Sequence, residues 1–247
     1  MIPPPAHPSP DSGPVVLAID AAGSACAAAV AGGDELLAIR CAAMMHGQAE
    51  ALLPMIDDVV GAAGLTPSAL ELIAVTTGPG SFTGIRVGLA AARGIALASG
   101  RPLFGISSFE SVAEALPRGV LADRCLLVAL ESRRADLYFQ LFDCGLNPLS
   151  RPAAGLPETL AAVVAPASGR GILIAGDAAA LAAEALARQF DVTVLEAAPV
   201  TGALQKALRQ WRCGAVAGVV RPLYLRSPDV TLAPGTMAPG QPLPGRR

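Results

Sequence analysis

The 247-residue sequence predicts an α/β protein of two domains, on three observations. Short apolar runs alternate with longer stretches in which apolar residues recur every three or four positions, the pattern of strands interleaved with helices. At Val75-Thr76-Thr77-Gly78-Pro79-Gly80-Ser81-Phe82-Thr83-Gly84-Ile85-Arg86-Val87-Gly88 one such run passes through a glycine-rich turn straight into a helical stretch. Around Pro117 to Arg124 the pattern breaks and restarts, which places a domain boundary there and gives domains of 15–117 and 118–226.

The ends are predicted to be disordered. Residues 1–14 carry six prolines, and 227–247 mix proline and glycine without periodicity, so neither buries enough surface to offset chain ordering. The first domain opens with apolar runs at Val15 to Ile19, Ala25 to Ala31 and Leu36 to Ala42, the last two joined by a Gly32-Gly33-Asp34 turn. A helix follows from Gln48 to Ala63, with Leu52, Met55, Ile56, Val59 and Val60 on one face and Gly64 as its stop. Pro54 lies inside that pattern and either ends the first turn or kinks the helix. Leu72 to Thr76 is the next strand, Thr83 to Ala98 the second long helix, and Leu103 to Ile106 a further strand. Ser107-Ser108-Phe109-Glu110 then has the capping-box spacing that starts a helix through Leu116.

Strand-strand-strand-helix-strand-helix, with a ligand loop between the later strand and helix, is the layout of the actin/Hsp70/sugar-kinase (ribonuclease H-like) type of domain. The second half is predicted to hold strands at 125–129, 137–142, 171–175 and 192–195 and helices at 178–189 and 202–212, with Glu131 to Asp136 as a turn.

Composition narrows the function. The 53% hydrophobic content supplies ample core, yet charges or glycines interrupt every apolar run before it could span a bilayer. No secretion signal is recognisable at the N-terminus, which predicts a cytoplasmic protein. Cysteines 26, 41, 125, 144 and 213 form no Cys-x-x-Cys pair and read as buried free thiols; with two histidines they complete no zinc site, so no metal is expected. A formal charge of −2, with Lys206 the only lysine, argues against nucleic-acid binding as the main work of this chain.

The motifs point to a family. Leu17-Ala18-Ile19-Asp20 with Ala21-Ala22-Gly23-Ser24-Ala25-Cys26-Ala27, then His46-Gly47-Gln48 through Leu52-Leu53-Pro54-Met55-Ile56, then the glycine-rich loop, closely resemble the bacterial TsaB (YeaZ) family. Glu131-Ser132-Arg133 before Leu137-Tyr138-Phe139, and the closing Arg221-Pro222-Leu223-Tyr224-Leu225-Arg226, extend the match. The resemblance implies the two-domain actin-like fold. It also implies a non-catalytic subunit that binds and organises TsaD for threonylcarbamoyl transfer to N6 of adenosine 37 in tRNAs reading ANN codons. TsaE is the further partner it implies, with tRNA met only inside the complex, no membrane, and a homodimer that uses the same two helices as TsaD. It leaves room for ATP or ADP between subunits.

The residues themselves leave alternatives open. Gly78, Gly80, Ser81, Thr83, Gly84 and Arg86 form either a tight turn that needs glycine for geometry or an anion-binding loop at a helix N-terminus. Asp20 stands where kinases of this superfamily hold a metal-bound phosphate, but Ala21-Ala22 replaces the hydroxyl residues common in the family, which argues against phosphotransfer. His46 is the one histidine inside the fold. The metal pair of TsaD has no counterpart in Ser107-Ser108-Phe109-Glu110-Ser111, and Ser81, Ser107 and Ser108 sit in no nucleophile elbow, so a small-molecule kinase or a glycoprotease-like peptidase remains only the rival enzyme reading. Finally, Gly84, Gly88 and Ala92 keep one side of the second helix thin, and Leu52, Met55, Ile56 and Val59 stripe the first. These residues are either core or partner surface; partner surface is the expectation carried forward.

Overall fold

The computed structural model describes residues 13–226; the expected tail, 227–247, and all of the expected leader 1–14 except its last two residues lie outside the described residues. Two five-stranded sheets repeat one topology. In the first, β1 (Val15–Asp20) pairs antiparallel with β2 (Ala25–Gly32), which pairs with β3 (Glu35–Ala43), while β4 (Leu72–Thr76) and β5 (Leu103–Ile106) add parallel on the other side, in the order β3-β2-β1-β4-β5. In the second, β6 (Cys125–Glu131), β7 (Leu137–Phe142) and β8 (Ala153–Gly155) play the antiparallel part, and β9 (Ile172–Ala175) and β10 (Val192–Leu195) the parallel part, in the order β10-β9-β6-β7-β8.

Burial explains the sequence patterns. Every residue of β1 and β4 is buried, because helices cover both faces, so these strands read as unbroken apolar runs; β3 is an edge and reads as mixed. Helices α1 (Gln48–Ala62) and α2 (Phe82–Ser99) cover one face of the first sheet. Pro54 neither ends α1 nor shortens it: proline and Glu50, whose carbonyl loses its partner, are both solvent-exposed. Gly100, at φ 67°, ends α2, and α3 (Ser108–Glu114) begins with the full capping box of Ser107 and Glu110.

The domain boundary at 117 is corrected by the core. Phe109, Val112 and Ala113 of α3, from the first half of the chain, pack on the second sheet with Leu126 and Val128. Conversely α7 (Pro199–Arg212), from the far end, lays Val200, Ala203, Leu204, Ala207 and Leu208 on the first sheet. Each sheet has two apolar faces to cover, and the chain covers the inner ones by exchanging helices. These two helices meet at Gly202, where a Cβ would fall 1.8 Å from the Ser111 carbonyl oxygen. Lys206 reinforces the crossing with an ion pair to Glu110 at 3.0 Å, and Arg209 pairs with the buried Glu114. The outer face of the second sheet is closed by α5 (Leu160–Val164) and α6 (Ala179–Leu186), and the four-residue α4 (Arg118–Leu121) occupies the segment where the pattern breaks.

One smaller expectation fails: Cys41, Cys144 and Cys213 are exposed rather than buried. Tyr224, in the closing motif, lies in a strap of no regular structure.

Candidate functional site

The glycine-rich loop leaves β4 between the two sheets and enters α2. Its geometry is dictated by the β1–β2 turn pressed against it. A Cβ on Gly80 (φ 155°) would lie 2.0 Å from the carbonyl oxygen of Ala22, and one on Gly84 1.9 Å from that of Ala21, so both positions must be glycine for the loops to meet. The Ser81 N–H donates to the Ala22 oxygen at 2.6 Å, and the Ser81 hydroxyl accepts from the Gly84 N–H at 3.2 Å as the helix cap.

Asp20, at the end of β1, is tied into the same junction. Its Oδ1 accepts from the Thr76 hydroxyl at 2.7 Å and from the Ala22 N–H at 3.0 Å. Burial pushes this carboxyl above the usual range, the two hydrogen bonds oppose that, and the charge of Asp177 adds to it. On this side the sheets enclose a cleft of about 560 Å³ lined by Asp20, Glu131, Asp177, Glu196 and mostly apolar walls, with no Lys or Arg among its lining residues. Ser108 places a buried hydroxyl there without a hydrogen-bond partner.

On the other side of the loop the charge reverses. A second pocket, of about 300 Å³, is bounded by Gly80 to Thr83, by the β6–β7 turn with Arg133 and Arg134, and by the closing strap with Tyr224 and Arg226. The strap is fastened by the Leu223 N–H to the Thr77 oxygen at 2.8 Å and by Arg93 to the Val220 oxygen at 2.6 Å. Arg86 lies over the Phe82 ring, 3.6 Å from its centroid, and donates from Nε to the Tyr224 hydroxyl at 3.4 Å; the two rings stack with centroids 4.9 Å apart.

Within the expected anion loop, Gly78, Gly80 and Gly84 are all held by close packing, while Gly80, Ser81 and Thr83 also line the arginine pocket and Arg86 stands beside it on the Phe82 ring. Sequence reading missed Arg133, Arg134 and Arg226 as site residues. Both segments are quoted motifs, but nothing in their spacing shows that they converge on the loop.

The expected partner surface is corrected. Leu52, Ile56, Val59, Gly84, Gly88 and Ala92 are buried within this chain, and Met55 is packed against the same core. Gly88 sits on the sheet, its Cβ position 3.6 Å from Val75 and 3.7 Å from Ala21. The thin face of α2 is thin to approach β1 and β4. What α1 and α2 show outward is instead Leu53, 57% exposed, and Leu97, 87% exposed, the latter in helical register with Ala90 and Gly94.

The family model for TsaD, tRNA N6-adenosine threonylcarbamoyltransferase, matches residues 42–229. The tRNA threonylcarbamoyladenosine biosynthesis protein TsaB of Escherichia coli is 32% identical over 124 residues, which cover 50% of this chain and 53% of that one. YeaZ from Pseudomonas aeruginosa superposes with a TM-score of 0.72 at 25% identity, over 86% of this chain and all of that one. The chain belongs to the TsaB (YeaZ) family. The match to E. coli TsaB spans about half of that relative's length. A hexokinase from Thermus thermophilus, at 17% identity and a TM-score of 0.53 over 80% of this chain and 99% of that one, shares the fold alone with this TsaB-family chain.

Proposed function

We propose that this chain is a TsaB subunit that binds TsaD and organises it for threonylcarbamoyl transfer to N6 of adenosine 37 in tRNAs reading ANN codons, without performing chemistry itself. TsaE joins as a further partner, tRNA is met within the complex, and a homodimer through the same helices competes with TsaD. The site of action is the cytoplasm; among the described residues no helix is long and apolar enough to cross a membrane.

The observation that carries the docking role is the outward face of α2. Leu97 stands 87% exposed, and nothing lies within 4 Å of a Cβ built on Gly94, so a partner helix can approach the backbone there. Seating one leucine contributes about 1.5–3 kcal/mol, roughly ten- to a hundredfold in affinity.

The interdomain cleft supports the absence of phosphotransfer. ATP or ADP does not fit it: the Ser81 and Ala22 N–H groups that could cradle a phosphate are spent on Ala22 and Asp20, and carboxylates without a facing cation line the space. Any nucleotide shared between subunits is therefore held outside this cleft. Against a peptidase, Ser81 is occupied as a helix cap, and His46 is exposed ahead of α1.

Co-purification with TsaD tests the reading. Leu97→Glu is expected to reduce capture at least tenfold with an unchanged melting temperature. Capture equal to the native chain, or turnover of a sugar with ATP or of a peptide by the purified chain alone, would overturn it.

A further inference from the structure

Arginine pockets are costly to assemble, because like charges repel and each long side chain loses rotamer freedom when held. The pocket beside the glycine-rich loop draws its cations from three separate segments. Arg133 and Arg134 come from the β6–β7 turn, Arg226 from the closing strap, and Arg86 from the first turn of α2, where it stands at the rim on Phe82. Among the described residues, three guanidiniums and the Glu131 carboxylate line the pocket itself, with Arg86 beside it. Asp136 is buried and pairs with Arg226, and Glu131 is an exposed member of the lining. Arg86 and Arg133 take part in none of the ion pairs formed among the described residues. A chain of net charge −2 thus gathers an excess of positive charge in one concavity of about 300 Å³.

The backbone around Arg133 strengthens the case. Its φ is 61°, a left-handed conformation in which a β-carbon costs about 1 kcal/mol relative to glycine. The turn itself is held by Ser132, whose hydroxyl donates to Asp136, so neither fold nor turn calls for an arginine at the strained position. Residues in such conformations persist where something other than local stability holds them. The start of α2 adds the N–H groups of Phe82 and Thr83, which a helix leaves without intrahelical acceptors. Beside them, Tyr224 and Phe82 supply an aromatic edge next to the charge.

We propose that this arginine-lined pocket binds a phosphate ester carried by a nucleotide unit, with Arg133 and Arg86 as its principal charge partners. Guanidiniums match phosphate oxygens by paired hydrogen bonds, and the aromatic edge suits an attached sugar or base. A bare carboxylate would use the charge but not the ring. The source is either a free mononucleotide or a phosphodiester within an RNA strand. The inference does not rest on TsaD docking, because the pocket and the Leu97 face are separate surfaces.

The test is calorimetric titration of the full chain with inorganic phosphate, with AMP and with a single-stranded RNA pentanucleotide, at low and at moderate salt. AMP or the RNA is expected to bind, more weakly as salt rises. Arg133→Gly should weaken binding at least tenfold without lowering the melting temperature, since glycine suits the turn. Thr83→Glu, which places an anion at the helix start and so favours the helix, should weaken it by a similar factor. Binding of AMP assigns a mononucleotide, and binding of the RNA alone assigns the strand. The proposal is overturned if neither binds, if only inorganic phosphate binds, or if both variants bind like the native chain.

Discussion

The Ser81 N–H donates to the carbonyl oxygen of Ala22 at 2.6 Å, which stitches the glycine-rich loop to the β1–β2 turn. The Ser81 N–H is thus spent on the Ala22 carbonyl, and the Ala22 N–H is spent on the Asp20 carboxylate at 3.0 Å. The opposite side of the same loop, where Thr83 and the arginines stand, carries the pocket proposed above for a phosphate ester.

That stitch makes Gly80 intolerant. A methyl group there would lie 2.0 Å from the Ala22 oxygen on a backbone at φ 155°. Gly80→Ala should cost about 2–4 kcal/mol or prevent folding, read by chemical denaturation. Native-like stability would show that the loops separate without penalty.

A second intolerant glycine lies far from the loop. Gly202→Ala would force α7 away from the Ser111 oxygen of α3 and is expected to destabilise by about 2 kcal/mol or more. Gly94→Ala, in open space within α2, should instead stabilise by about 0.5–1 kcal/mol, because alanine restricts the unfolded chain and favours the helix. Thermal denaturation of the pair reads both signs in one experiment.

Gly88 separates core from interface. Its Cβ position is at ordinary contact distance from Val75 and Ala21, so Gly88→Ala should fold normally, whereas Gly88→Leu overpacks the β1–β4 face and should lose about 1–3 kcal/mol. If the leucine variant kept its melting temperature but lost TsaD capture, the buried placement of this face would be wrong.

Asp20 sets a pH dependence. Its folded pKa lies above the unfolded value, so the folded state binds the proton more tightly, and stability falls as pH rises from the unfolded pKa through the folded one. Asp20→Asn retains an Oδ1 acceptor for Thr76 and Ala22 and removes the buried charge. The variant should melt higher than the native chain at pH 7, and the difference should shrink as pH falls from the raised folded pKa to the ordinary carboxylate value, then level off. A lower melting temperature at every pH would assign Asp20 a charge-dependent structural role.

Much of the architecture is legible in local pattern. The run Val15 to Ile19 is apolar throughout because β1 is covered on both faces, and Ser107 with Glu110 announces α3 because a capping box is completed within four residues. Leu52, Ile56 and Val59 are found on one face of α1 as periodicity requires. The stretch from 143 to 170 is less legible: β8 is three half-buried residues, and α5 is an Ala-Val segment whose composition suits strand and helix alike.

The sequence by itself determined which residues are apolar, where α1, α2 and α3 begin, and the family to which the chain belongs, since these depend on neighbours within a few positions. Only the tertiary structure decided which apolar face meets the sheet and which meets solvent: Gly88 went inward and Leu97 outward, though both lie on one helix of small residues. It also decided that α3 and α7 exchange sheets, and that Arg133, Arg226 and Thr83 share a pocket. The reason is physical. Periodicity records that a face is buried but not against what, and charges distant in sequence reveal their common site only when the chain has closed around it.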